Sequence, residues 1–68
     1  MDESAKKLGK NMKRIRLEKG MTQGDICRKL GLDRAYISNL ESGNKNPTLA
    51  TIEKLAKALG VLASDLVK

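Results

Sequence analysis

A group of small and polar residues in the middle of the chain has the spacing of one face of a helix. Arg34 projects from the first turn of a predicted helix, and a helical wheel places four later residues on its outward side: Ala35, Ser38, Asn39 and Ser42. Arginine pairs with guanine through two hydrogen bonds and asparagine favours adenine, so this small polar face suits the edges of DNA bases. It equally suits plain exposure to solvent. The helices predicted around it are needed to distinguish a DNA-binding face from an ordinary surface.

A helix-turn-helix is predicted around this face. Its first helix covers Gln23 to Leu30, because Thr22 and Asp25 have the spacing of an N-terminal capping box. Gly31 follows, and glycine accepts the positive φ that ends one helix sharply enough for the next to leave at a steep angle. The second helix covers Arg34 to Ser42.

The second helix of this unit has a clear inward side. Asp33 is expected to cap its start. Ile37 and Leu40 point inward, and Glu41 comes to the edge of the same face. Arg16, in the helix before the unit, lies beside that helix's apolar stripe, so its long side chain points toward the motif.

A longer helix precedes the unit, from about Ser4 to Lys19, and ends at Gly20. Apolar residues draw one stripe along it: Leu8, Met12 and Ile15. Gly9 either weakens this helix or lets another helix approach closely. The other basic residues predict mainly a solvated face, and contact with a phosphate is the alternative for any one of them: Lys6, Lys7, Lys10, Lys13, Arg14 and Lys19.

Two further segments complete the predicted core. Thr48 caps a helix that ends at Gly60 and carries one apolar face: Leu49, Ile52, Leu55, Ala56 and Leu59. Residues 61–68 are apolar in part but allow scarcely two turns, and so short a helix is stable only when packed. This last segment therefore either closes the core or meets a second subunit.

Length and composition narrow the class of protein. Sixty-eight residues predict a single domain, residues 1–68, which buries only about 60% of the surface of its unfolded form. A net charge of +6 suits a polyanionic partner such as nucleic acid. One cysteine excludes a disulfide within the chain, and no apolar run approaches the length of a membrane span, so we expect a cytoplasmic, nucleoid-associated protein.

The same composition argues against catalysis. The chain has no histidine, its carboxylates are scattered among basic residues, and no nucleophile has a base beside it. We therefore expect no enzyme activity, no metal, no cofactor and no small-molecule ligand.

Three runs of sequence together resemble a known family: IRLEKGMTQ at 15–23, LGLDRAYISNLESG at 30–43 and NPTLATIEKLAKALGV at 46–61. They resemble the λ-repressor-like, XRE-type helix-turn-helix regulators, most of all the controller proteins of restriction-modification systems and small Cro-like phage repressors. The resemblance implies an all-α domain of five helices, with its third helix in the major groove.

The resemblance also implies roles for single residues. The positions that read bases correspond to Arg34 and Ala35, with two more along the same face: Ser38 and Asn39. The phosphate contacts correspond to the start of the second helix, a tyrosine, the end of the third helix with the loop after it, and one threonine of the fourth helix: Thr22, Gln23, Tyr36, Ser42, Asn44, Lys45, Asn46 and Thr51.

Two structural roles follow from the same resemblance. Arg16 and Glu41 match a partly buried ion pair between the first and third helices, in agreement with their wheel positions. The last helix of the family commonly forms a two-fold dimer, which here predicts an apolar interface at Val61, Leu62, Leu66 and the end of the fourth helix. Leu62 replaces the serine or threonine that usually caps this helix, so the resemblance does not define the residue at which the helix starts.

The sequence thus favours a dimeric regulator that binds a palindromic DNA operator through its third helix. The alternative is a protein-binding module, such as an antitoxin or antagonist, that uses the same fold. That alternative needs an exposed apolar surface beyond the dimer contact, for which Leu17 and the C-terminus are the candidates.

Overall fold

The computed structural model describes residues 3–68, and within them it contains five α-helices and no strand. The helices are α1 (Glu3–Glu18), α2 (Gln23–Leu30), α3 (Arg34–Glu41), α4 (Leu49–Leu59) and α5 (Ala63–Val67). The all-helical prediction is confirmed, and the predicted boundaries are wrong by one residue at each end of α1 and at the end of α3. None of these helices is long and apolar enough to cross a membrane.

The start of α3 corrects one expectation. Asp33 occupies the N-cap position with extended backbone angles, but its carboxylate accepts no hydrogen bond from the first turn. The side chain is exposed and remains in solvent. The first N–H groups of α3 are therefore left without the side-chain cap that the sequence predicted.

One apolar core joins all five helices. Its buried side chains come from all five helices: Leu8, Met12, Ile15, Ile26, Ile37, Leu40, Leu55, Ala56, Leu59 and Leu66. The predicted apolar stripe of α1 is confirmed, but that of α4 is wrong at its first residue, because Leu49 is 70% exposed, and Ile52 is only half-buried. Because α1 packs against α3 and α5, and α2 packs against α3 and α4, the two helices of the predicted motif are held from behind by the rest of the fold.

Gly9 brings α1 and α3 into close contact. A Cβ atom at this position would lie 2.5 Å from the carbonyl oxygen of Leu40 and 2.6 Å from that of Glu41. Both of those atoms belong to backbone, which cannot move aside as a flexible side chain can. Of the two explanations for Gly9, the structure therefore supports the close approach of another helix.

The turn between α2 and α3 depends on Gly31, which has φ +65°. The N–H groups of Gly31 and Leu32 both donate to the carbonyl oxygen of Cys27, at 2.8 and 3.2 Å. These bonds satisfy the end of α2 while the chain reverses, because glycine adopts the left-handed conformation without steric cost.

The C-terminal segment closes the core. Leu66 on α5 is completely buried, and Asn11 of α1 donates from Nδ2 to the carbonyl oxygen of Leu66 at 2.9 Å. At the start of α5, where Leu62 has no capping oxygen, Asp65 accepts a hydrogen bond from the Leu62 N–H at 3.0 Å. The segment is thus a packed helix whose own carboxylate replaces half of the missing cap.

Candidate nucleic-acid interface

The N-terminus of α2 is fixed by two reciprocal hydrogen bonds. Thr22 Oγ1 accepts from the Asp25 N–H at 3.1 Å, and Asp25 Oδ2 accepts from the Thr22 N–H at 2.8 Å. The Thr22 N–H lowers the pKa of Asp25 below its ordinary value of 3.8, with smaller contributions from the Thr22 hydroxyl and Arg28. The capping box predicted from the sequence is confirmed, and its carboxylate is charged at neutral pH.

A buried ion pair connects α1 to the end of α3. Arg16 Nε donates to Glu41 Oε2 at 2.6 Å, and Arg16 Nη2 donates to Glu41 Oε1 at 3.1 Å. The two side chains are only 9% and 4% exposed. A third bond runs from Arg16 Nη1 to the carbonyl oxygen of Met21 at 2.8 Å, so the guanidinium also holds the turn before α2. The hydrogen bonds to Glu41 raise the pKa of Arg16 above its ordinary value.

Gln23 is the third member of this network. Its Nε2 donates to Glu41 Oε1 at 3.1 Å, the same oxygen that accepts from Arg16 Nη2. The sequence assigned Gln23 to a phosphate, and the structure gives its amide group a partner inside the protein. One carboxylate therefore ties the start of α2 to the end of α3, and the relative orientation of the two helices rests on it.

The outward side of α3 presents the predicted polar residues. Arg34, Ala35 and Ser38 are exposed, and Asn39 is half-buried. Among residues 3–68, the side chains of Arg34 and Ser38 form no hydrogen bond or ion pair. Their donors and acceptors are consequently available to a ligand. Ala35, Ser38 and Asn39 lie away from the buried Ile37 and Leu40, and Arg34 belongs to the first turn of α3.

The loop after α3 is ordered by its own side chains. Ser42 Oγ donates to the carbonyl oxygen of Asn39 at 3.1 Å, and Asn44 Nδ2 donates to Ser42 Oγ at 3.0 Å. The Asn44 N–H reaches the Asn39 carbonyl oxygen as well, at 2.9 Å. Ser42 and Asn44, which the sequence assigned to phosphate contacts, thus hold the loop that carries Lys45 and Asn46 into solvent.

Tyr36 and Lys45 are brought together across this loop. Lys45 Nζ lies 5.5 Å from the centre of the half-buried Tyr36 ring, within the range of a cation–π interaction. Thr51, the last residue predicted to touch phosphate, places its hydroxyl 3.1 Å from that of Thr48 at the start of α4. Its N–H donates to Thr48 Oγ1, so the described contacts of Thr51 belong to the cap of α4.

The site contains no arrangement suited to a metal. Among residues 3–68, no group of three or more histidine, cysteine, aspartate or glutamate side chains is placed to hold an ion. What the geometry offers instead is a polar helix face, a capped helix N-terminus and a basic loop on a rigid frame.

Comparison with known proteins agrees with this geometry. Residues 12–66 match the family described as helix-turn-helix. The chain belongs to that helix-turn-helix family. Members of the family are DNA-binding transcription regulators and not enzymes.

Two curated relatives illustrate the likeness. The chain is 45% identical over 62 residues to the uncharacterized HTH-type transcriptional regulator y4dJ of Sinorhizobium fredii strain NGR234, covering 91% of this chain and 80% of that protein. It is 43% identical over 60 residues to the control protein C.BamHI of Bacillus amyloliquefaciens, covering 87% and 74%. Other relatives are longer, and the chain spans 57% and 42% of two of them.

A solved structure extends the comparison to the fold. The restriction-modification controller protein C.Esp1396I, crystallised as a tetramer in complex with its natural 35 base-pair operator, superposes with a TM-score of 0.83. It is 37% identical in sequence, and the match covers 100% of both chains. The resemblance to controller proteins that the sequence motifs indicated is therefore confirmed.

Within this helix-turn-helix fold, the predicted dimer residues are not equivalent. Leu66 is 0% exposed and belongs to the core of its own chain, so its assignment to an interface is wrong. The short α5 needs that side chain to stay attached to α1 and α4. Val61 is half-buried against the same core, whereas Leu62 is 70% exposed.

Sequence reasoning missed contacts that join distant parts of the chain. The bond from Gln23 to Glu41 spans 18 residues, and the bond from Asn11 to Leu66 spans 55. Glutamine at the start of one helix and asparagine on a basic face carry no local signal of such partners. Only a prediction of how the helices pack would have found them.

Proposed function

We propose that this helix-turn-helix regulator binds a palindromic DNA operator as a homodimer. Each α3 enters a major groove, and the two helices lie about 34 Å apart, one turn of the double helix. The observation that carries the proposal is the outward face of α3, whose Arg34 and Ser38 side chains are exposed and engaged by nothing among residues 3–68. The operator complex of C.Esp1396I supports the part of the proposal that concerns binding to operator DNA.

Recognition of the operator's base sequence is assigned to the outward face of α3. Arg34 can donate two hydrogen bonds to a guanine, and the Ala35 methyl group can meet the methyl of a thymine. Ser38 and Asn39 lie further along the helix and supply additional donors and acceptors. Because the Arg16–Glu41 pair fixes α3 against α1, this face reaches the groove without first having to be ordered.

Affinity is assigned to residues around α3. The N–H groups of Gln23 and Gly24 have no partner within α2, whereas that of Asp25 is capped by Thr22, and helix N-termini bind phosphate well. The proposed phosphate contacts surround this point and the loop after α3: Thr22, Gln23, Tyr36, Ser42, Asn44, Lys45, Asn46 and Thr51. Those whose side chains already bond within the protein, such as Gln23 and Ser42, hold the frame and contact phosphate with their remaining atoms.

Selection from a random pool of duplex DNA tests the proposal. A symmetric consensus with half-sites one helical turn apart is expected, and titrations at physiological salt should favour it over genomic fragments. Binding that does not distinguish the selected sequence from bulk DNA would refute sequence-specific regulation.

Arg34→Ala tests the assignment of the base-reading residue. The variant should bind the consensus about 1 to 3 kcal/mol more weakly and lose its preference at one base pair per half-site. Arg14→Ala, which removes an exposed arginine from α1, is the matched control and should retain both affinity and preference. An Arg34→Ala variant with the full specificity ratio would show that another residue reads that base.

Dimerisation is proposed through Leu62 and the end of α4, with Val61 at the edge of the contact. Leu62 is 70% exposed next to the half-buried Val61, an arrangement that favours a small apolar interface. Sedimentation should show that Leu62→Glu shifts the protein from dimer to monomer, while Leu17→Glu, the same change at another exposed leucine, does not. Monomers alone in the wild type, with and without operator, would exclude the dimer.

A protein-binding role is the second candidate. Leu17 and Leu49 are 59% and 70% exposed and are not used by the proposed dimer contact, so apolar surface is available for another partner. A complex that persists after nuclease treatment and is lost with Leu17→Glu or Leu49→Glu would support this function.

A further inference from the structure

A basic groove lies beside the loop that follows α3. It is bounded by the N-terminal half of α1, by Asn46 and Pro47 of the loop and by the end of α5, and its volume is about 740 Å³. Three lysines of α1 line it: Lys6, Lys7 and Lys10. The sequence alone predicts mainly a solvated face for these lysines, and their proximity to the loop is a product of the tertiary fold.

Two glycines determine where these lysines lie. Gly9 lets α1 cross the last carbonyl groups of α3 in direct contact. Gly43, immediately after α3, is buried against Lys6, and a Cβ atom there would lie 3.0 Å from the Lys6 Cα. The chain that leaves α3 therefore passes over the first turns of α1, which places the lysines next to residues 44–46.

The charge of the groove is strongly one-sided. All three lysines are exposed, and among residues 3–68 none of them forms an ion pair. The one carboxylate among the described lining residues is that of Glu3. Lys45 lies in the adjoining loop, so the basic surface continues directly into the segment proposed to follow the phosphates.

We propose that Lys6, Lys7 and Lys10 bind phosphates of the same operator DNA, next to those assigned to the loop. This inference rests on the proposed function and extends its contact surface to α1. The positive charge would attract either kind of polyanion, and continuity with the loop that is proposed to follow the phosphates favours a DNA strand over an acidic protein segment.

A pair of triple variants tests the proposal. The first is Lys6→Gln, Lys7→Gln and Lys10→Gln. The second, Lys29→Gln, Lys54→Gln and Lys57→Gln, removes the same charge from another group of exposed lysines that borders a separate small groove between α2 and α4. In both variants an uncharged glutamine of similar length replaces each lysine, and thermal unfolding verifies that each variant is folded.

The measurement is the salt dependence of binding to the selected operator. The slope of log K against log salt should become shallower by about 0.9 for each phosphate that the α1 variant no longer binds, and stay near the wild-type value in the control. Ethylation interference should show phosphates that the wild type and the control require and the α1 variant does not.

Each other result overturns the inference. An equal change of slope in both triple variants would mean that overall charge, and not this groove, attracts DNA. An unchanged slope and interference pattern in the α1 variant would leave the groove to a different partner, such as an acidic protein segment. In either case the wild type still selects its operator, whereas failure of the proposed function would appear as no selection at all.

Discussion

Replacement of Arg16 by alanine is the most direct test of how the recognition unit is held. The change removes both donors to Glu41 and the bond to the Met21 carbonyl oxygen. Glu41, whose side chain is only 4% exposed, would then keep a single side-chain donor, the amide of Gln23 at 3.1 Å. A charged carboxylate would remain buried with most of its partners gone.

The expected loss of stability follows from that geometry. Removal of one member of a buried ion pair typically costs about 3 to 5 kcal/mol, because the remaining charge is left uncompensated. Gln23 still bonds one oxygen of Glu41, and water can enter the space that Arg16 vacates, so we expect a value near the lower limit, about 3 kcal/mol. For a domain of this size, that loss lowers the melting temperature by about 12 to 24 °C.

Thermal and urea unfolding followed by far-ultraviolet circular dichroism measure this change. Arg14→Ala is the control, because Arg14 lies on the same helix and its ion pair with Glu18 is exposed, with side chains 55% and 62% accessible. Exposed pairs contribute about 0 to 1 kcal/mol, so the control should unfold within a few degrees of the wild type.

A double variant separates the effect of the unpaired Glu41 charge from the other effects of shortening Arg16. Arg16→Met combined with Glu41→Leu removes both charges together, and apolar replacement of a buried pair is often close to neutral. The double variant should therefore be more stable than Arg16→Ala. An unchanged melting temperature for Arg16→Ala, or a double variant that is less stable than it, would refute the role assigned to this ion pair.

Three further predictions concern the frame around the site. Gly9→Ala should destabilise the fold by about 1 to 3 kcal/mol in urea unfolding, because the new methyl group meets backbone carbonyls of α3, and a neutral effect would contradict that contact. Asn11→Ala should lower the free energy of unfolding by about 1 kcal/mol, because it removes the hydrogen bond to the carbonyl oxygen of Leu66. Amide hydrogen exchange in α5 should then increase, and unchanged exchange would show that Asn11 does not hold this helix. The lowered pKa of Asp25 implies a contribution to stability that is present above the unfolded pKa, near 3.8, and is lost as pH falls through the folded pKa. Melting temperatures of Asp25→Asn should consequently fall less steeply than those of the wild type on acidification below about pH 4, and equal pH profiles would exclude the capping carboxylate as a source of acid sensitivity.

The sequence by itself determined the helices and the turn between α2 and α3. Thr22 and Asp25 lie three residues apart in the chain, and Gly31 needs only its own φ to end α2, so neither depends on distant residues. The apolar stripe of α1 is local in the same sense. Family resemblance added the Arg16–Glu41 pair, which neither periodicity nor capping would have joined across 25 residues.

Only the tertiary structure decided what several of these residues do. Leu66 closes the core instead of meeting a partner, Gln23 bonds Glu41 inside the protein, and Lys6 packs beside Gly43 after α3. The physical reason is the same in each case. Burial and hydrogen bonding depend on which distant segments the packed helices bring together, and the sequence around a residue does not specify those long-range contacts.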